Sequence, residues 1–154
     1  ATNIVVDSAG VGLHKASAYG ARISLSTCHS IPSSAFTVIR YNSIEYDPSS
    51  TFNASSGTFT APLSGFYAVH ATVSFGVSSG GIRSTIIAVQ AVEHTRGGQH
   101  SVAFNSGIPE TSLVSGMVLL SKNDVLDIRA YQSTGASLSI LSTQTRLSLQ
   151  FMGQ

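Results

Sequence analysis

A strict two-residue alternation runs through the most apolar segments of this chain and leaves little freedom of fold. In "RLSLQFM", Leu147, Leu149 and Phe151 share one side, while Arg146, Ser148 and Gln150 share the other. In "FYAVHATVSF", Tyr67, Val69, Ala71, Val73 and Phe75 line one side in the same way. Successive side chains alternate only along an extended backbone, so both segments read as strands with one face on a core. No stretch of about ten residues carries a helical period. Glu and Lys, which favour helices, are scarce.

Further strands are expected at residues 22–27, 36–41, 57–60, 66–75, 82–92, 101–104, 112–120, 125–131, 137–141 and 145–152. Turn clusters rich in Ser, Gly, Pro, Asn and Asp separate them at 31–34, 47–50, 78–81, 96–98, 106–109 and 122–124. The chain is therefore all-β, with about ten strands. Two strands break the alternation: "IIAVQAV" (86–92) and "MVLL" (117–120) are apolar on both faces. One face fills the core. The other needs a cover, which points to a subunit interface.

Composition narrows the class. At 154 residues the chain is one domain with a sizeable core. Its net charge of +1 gives no footprint for nucleic acid or an anionic membrane. No apolar run reaches membrane-spanning length. Charged residues make up 10% of the chain, and 27 Ser with 13 Thr supply much of the polar surface. A hydroxyl-rich β surface suits a rigid protein outside the cytoplasm, and one able to meet sugars, and it equally suits a soluble domain with no such ligand. The chain begins with Ala and reads as a mature or excised piece of something longer. Residues 1–20, with Gly10, Gly12 and Gly20, read as a leader or stalk junction, and 21–154 as the body.

Reactive side chains are few. Cys28 is the only cysteine, so no intrachain disulfide forms, and it is expected to pack as a small apolar residue. A thiol–imidazole pair with His29 is disfavoured because neighbouring strand residues point to opposite faces. "GVSSG" (76–80) fits the G-x-S-x-G nucleophile pattern with Ser78. That elbow needs a helix after it, and the β-branched segment that follows is expected to be a strand. No histidine follows Asp124 and Asp127 to complete a triad in that order, so a hairpin loop is expected and no catalytic residue is assigned. No metal ligand or cofactor is assigned either: His94 and His100 lack zinc-motif spacing, and Asp124 and Asp127 belong to a turn and its strand. "EHTRGGQH" is the best exposed recognition candidate, its flexible glycines carrying Glu93, His94, Arg96, Gln99 and His100. These groups hydrogen-bond sugar hydroxyls or a carboxylate. Tyr131, at the head of "YQSTGAS", could stack on a sugar ring. Asn53-Ala54-Ser55 is a glycosylation sequon, meaningful only in a eukaryotic secretory host.

Residues 46–69, "YDPSSTFNASSGTFTAPLSGFYAV", space their aromatic rings regularly through Ser, Thr and Gly. From Tyr41, the residues Asp47, Phe52, Phe59, Gly65 and Tyr67 follow at spacings of 6, 5, 7, 6 and 2. This resembles the signature of the globular head of the first complement component, subcomponent q, a jelly roll shared with the tumour necrosis factor superfamily. Five of its eight positions match; Tyr41, Val69 and Ala71 replace aromatic rings at the others. "TSLVSGMVLLSKNDVLDIRAY" (111–131) resembles the family's later hairpin, and "RLSLQFMG" its closing strand. The altered positions and the tempo of residues 31–52 resemble distant bacterial or phage versions, including fibre heads.

The resemblance implies a two-sheet antiparallel jelly-roll sandwich and a homotrimer whose N-terminal ends join a collagen-like or fibrous stalk. On that threefold axis copies of His70 could meet, around an ion or shared water. Family members sometimes bind calcium, but no carboxylate cluster here matches such a site. The function so implied is a non-enzymatic trimeric head that binds a cell-surface glycan or protein at the tip of a fibre or secreted oligomer. It would work outside the cell or on a virion surface. A purely structural trimerisation domain and a secreted immune lectin are the alternatives.

Overall fold

The computed structural model describes residues 4–6, 12–14, 19–101 and 107–154. Every regular element among them is a strand: β1 (Ile4–Val6), β2 (Gly12–His14), β3 (Gly20–Ser24), β4 (His29–Ile31), β5 (Thr37–Val38), β6 (Ser43–Tyr46), β7 (Phe52–Asn53), β8 (Thr58–Thr60), β9 (Gly65–Phe75), β10 (Ile82–Val89), β11 (Val92–Arg96), β12 (His100–Ser101), β13 (Glu110–Leu120), β14 (Val125–Gln132) and β15 (Leu138–Gly153). The two earliest pair as an antiparallel hairpin within the expected leader. Two larger antiparallel sheets make the body. The six-stranded one runs β13-β9-β15-β3-β6 with β4 beside β15; the seven-stranded one runs β11-β10-β14-β8-β7 with β5 beside β14 and β12 beside β10. This is the two-sheet antiparallel jelly-roll sandwich expected from the sequence.

The alternating residues meet between the sheets. Tyr67, Val69, Ala71, Val73 and Phe75 from β9 and Leu147, Leu149 and Phe151 from β15 pack against Phe59, Leu126 and Ile128 of the opposite sheet in one core. The ring-bearing signature is scaffold. Tyr67 lies edge-on to Phe59 with centroids 5.6 Å apart, and its hydroxyl donates to the Leu63 carbonyl at 2.8 Å. Burial pushes the phenols of Tyr41 and Tyr67 above their ordinary pKa. Asp47 holds its turn by accepting from the Phe52 amide and the Thr51 hydroxyl, each at 2.8 Å. Gly65 opens β9 at φ 146°, and a Cβ there would sit 2.5 Å from the Gly153 carbonyl oxygen, so no larger residue fits.

Several expectations change. The strand expected over 82–92 breaks at Gln90–Ala91, where φ values of 50° and 64° turn the chain back into β11. The strands expected at 137–141 and 145–152 are one, β15, interrupted by a register shift between Leu141 and Arg146. Residues around Ser78 form no hairpin: they carry the chain from β9 in one sheet to β10 in the other. Ser78 thus lies between strands, without the helix an elbow needs. Cys28 is exposed rather than packed, because β3 ends at Ser24 and the chain bends outward before β4. The Ser142 amide donates to its sulfur at 3.4 Å, and that bond, with the Ser142 hydroxyl, holds the thiol pKa below its usual value. The rest of the strand expected at 101–104 lies outside the described residues.

The two doubly apolar strands part ways. On β10, Ile86 and Ala88 are buried within the chain, so this strand leaves no open flank. On β13, Met117 and Leu119 remain 55% and 63% exposed.

Candidate functional site

Three of the sequence-predicted residues share one strand. Glu93, His94 and Arg96 lie on β11, at the edge of the seven-stranded sheet, rather than in a flexible loop. Gly97 is held, not loose: its amide donates to the Thr85 carbonyl at 2.9 Å. A Cβ on it would meet the Leu113 carbonyl oxygen at 2.1 Å, where the edge of this sheet abuts β13 of the other. Gln99 is exposed beyond it, and the backbone of His100 pairs with Arg83 of β10.

The outer face of this sheet then assembles itself by register. Arg96 sits opposite Ile86, Ile86 opposite Arg129, and Arg129 opposite Val38. Tyr131 sits opposite Ser84. Arg96 reaches across β10, and its guanidinium carbon lies 5.2 Å from the centre of the Phe36 ring. Phe36 in turn lies 5.2 Å from Tyr131, its ring tilted by 41°. Two residues singled out separately, Arg96 and Tyr131, are therefore joined through a third, Phe36. The sequence carries no local signal for Phe36, because its role depends on pairing between β5 and β14, where Val38 meets Arg129 from a distant part of the chain. This roof explains why Ser84 and Ile86 beneath are buried.

Each arginine of the face has a carboxylate. Arg96 Nε donates to Glu93 Oε1 at 2.8 Å; that bond holds Glu93 below the usual carboxylate range and raises Arg96. Arg129 Nε donates to the buried Asp127 at 2.7 Å, which raises the guanidinium pKa. His94 Nδ1 lies 2.7 Å from the Thr95 hydroxyl and takes no part in the stack. The face thus offers an aromatic pair, a cation held over one of its rings, and fixed polar groups at the rim.

The other sheet has a different outer face. Phe66, Met117, Leu119 and Met152 form an exposed apolar end. Toward the other end the strands carry Ser115, His70, Ser148 and Arg22 in direct register, with Arg146 next along β15 opposite Thr72. His70 does point away from the core, as its place in the alternation requires. Among the described residues no three His, Cys, Asp or Glu side chains gather into a metal-binding group.

The profile of one family, the C1q domain, matches residues 22–148, most of the chain. The chain belongs to the C1q domain family. Its solved structural neighbours agree on the fold. The globular domain of zebrafish complement 1qA protein superposes with a TM-score of 0.60 at 10% identity, covering 88% of this chain and 98% of that one. The Eiger tumour necrosis factor from S. frugiperda gives 0.63 at 12% identity, covering 88% and 93%. Murine APRIL at pH 5.0 gives 0.63 at 14%, covering 87% and 98%. Among curated protein sequences none matches. C1q-like domains are recognition domains, generally non-enzymatic, mostly secreted or extracellular, and typically trimeric. No helix among the described residues is long and apolar enough to cross a membrane.

Proposed function

We propose that this C1q domain is a non-enzymatic recognition head that trimerises through the open face of its six-stranded sheet. The outer face of its seven-stranded sheet then takes a cell-surface ligand, best a glycan. The observation that carries the reading is the stack of Arg96, Phe36 and Tyr131. An apolar ring edge with a guanidinium and carboxylates beside it suits a sugar, whose faces carry C–H groups and whose rim carries hydroxyls. The trimer rests on Phe66, Met117, Leu119 and Met152, an apolar group too contiguous to be left in water without a partner. Residues 1–20 serve as the junction to a stalk or fibre, and the assembly works outside the cell or on a virion.

A structural role is the second reading, and one observation favours it. Both arginines of the outer face already have carboxylate partners, so the stack satisfies itself without a ligand. A glycan array followed by calorimetry on the hit separates the two. Recognition predicts a binder whose affinity falls at least about tenfold in Arg96→Ala and Tyr131→Ala, with the trimer intact. No binder above background, with the trimer intact, leaves the structural role.

A further inference from the structure

We infer that the polar end of the open six-stranded face is an oxyanion site, closed by trimer assembly and filled by a tetrahedral divalent anion of the sulfate or phosphate class. This rests on the trimer reading above. The site comprises two adjoining depressions of about 480 and 390 Å³ that share Arg22, His70 and Ser148. Arg146, Thr72, Thr111 and Gln144 complete the second, where the Thr72 hydroxyl donates to the Gln144 carbonyl and the Thr111 hydroxyl to Gln144 Oε1. With those two hydroxyls engaged, the donors left for a ligand include the side chains of Arg22, Arg146, His70 and Ser148, and no carboxylate lines either depression.

The charge is unbalanced. Arg22 Nε reaches Glu45 at 2.8 Å, an ion pair that uses one of its three guanidinium nitrogens. Arg146 lies two residues along the neighbouring strand, and like charges so placed repel. Neither the Arg146 nor the His70 side chain makes a hydrogen bond or ion pair among the described residues. Counting Arg22, Arg146 and Glu45, each protomer brings a net charge of +1 to this end of the face. The same face carries the apolar group that asks to be covered. Closing it about a threefold axis brings three such clusters together in a partly dry space, where unpaired charge is costly. A cation would be repelled. An oxyanion offers several acceptor oxygens, and the planar fork of a guanidinium matches two of them at once.

The test is sedimentation velocity on a dilution series of the full chain in sulfate, phosphate or chloride at equal ionic strength. The trimer dissociation constant should fall about tenfold or more in sulfate or phosphate relative to chloride. In Arg146→Gln the difference should shrink below about twofold, with the trimer now forming in chloride as well. Sulfate also strengthens apolar association in general, but that effect would survive the substitution. A sulfate effect unchanged in Arg146→Gln therefore overturns the site, as does a trimer equally tight in all three salts; both leave the trimer reading standing. A monomer in every salt removes both. Arg146 is exposed, so the variant should fold; should it not, Arg22→Gln, at another exposed position, removes the same surplus charge and supplies the same comparison. Should only one of sulfate and phosphate act, that result identifies the ion.

Discussion

Gly97 has no room for a methyl group. Its would-be Cβ falls 2.1 Å from a backbone oxygen of Leu113, and backbone cannot swing aside as a side chain can. Gly97→Ala should destabilise the domain by about 1–3 kcal/mol, read from the urea midpoint. Gly98, with nothing within 4 Å of the same position, should accept alanine with a change under about 0.5 kcal/mol. Equal effects at both positions would mean that β11 does not abut β13. In the sequence the two glycines are indistinguishable, and both read as flexibility. His29 makes a second case. Burial, then the nearby charge of Arg40, pushes its pKa down, and its buried Nε2 has no partner. The folded chain therefore holds it neutral while the unfolded chain protonates it at about pH 6.5. Below that pH the unfolded state binds a proton that the folded state resists. Stability should be flat with respect to this group above about pH 6.5 and should fall as pH drops toward the depressed folded value. Chemical denaturation across that window should show a shallower acid limb in His29→Gln.

Elements were legible where burial on one side is continuous. β9, β14 and the second half of β15 alternate along their length, and the period alone locates them; β13 alternates only until its doubly apolar end at 117–120. β4, β6 and β7 are two to four residues long and carry too few side chains to show any period. The β10–β11 hairpin was hidden for another reason. Two-residue hairpin turns with positive φ at both positions usually advertise themselves with Asn or Gly, yet here Gln90 and Ala91 adopt that backbone. Alanine pays about 1–2 kcal/mol for the left-handed region, and glycine escapes it at the cost of a freer unfolded chain. Ala91→Gly should thus raise stability by about 0.5–1 kcal/mol, measured as a higher urea midpoint at unchanged slope. A loss of stability would place the turn elsewhere. The recognition candidates divided along the same line. Arg96 and Tyr131 were visible as exposed polar chemistry, but their common partner Phe36 follows from strand pairing, which no local window contains.

At the scale of the whole molecule, the question is which flank needs company. The sequence nominated two strands, and the fold covers one of them: Ile86 ends beneath the Arg96–Phe36–Tyr131 roof and Ala88 is buried between Glu93 and Asp127 of the flanking strands, while Met117 and Leu119 stay in water. Binary pattern tells that a strand is apolar on both faces; it does not tell whether its own chain returns to cover the second. The remaining open flank gives the proposed trimer a specific weak point. Leu119 stands next to Phe66 in register, and both project from the six-stranded face. A carboxylate at Leu119 is harmless to a monomer, because the side chain is 63% exposed there. In a closed trimer it would be three charges brought out of water without a partner, a cost of several kcal/mol for each. Leu119→Asp should therefore sediment as a folded monomer where the parent sediments as a trimer, with the far-ultraviolet spectrum of a β protein retained. Val92→Asp is the control: Val92 is equally exposed, but on the edge strand of the other sheet, and should leave the trimer whole. If Val92→Asp breaks the assembly and Leu119→Asp does not, the subunits meet through the seven-stranded sheet, and the recognition face must be sought on the side assigned here to assembly.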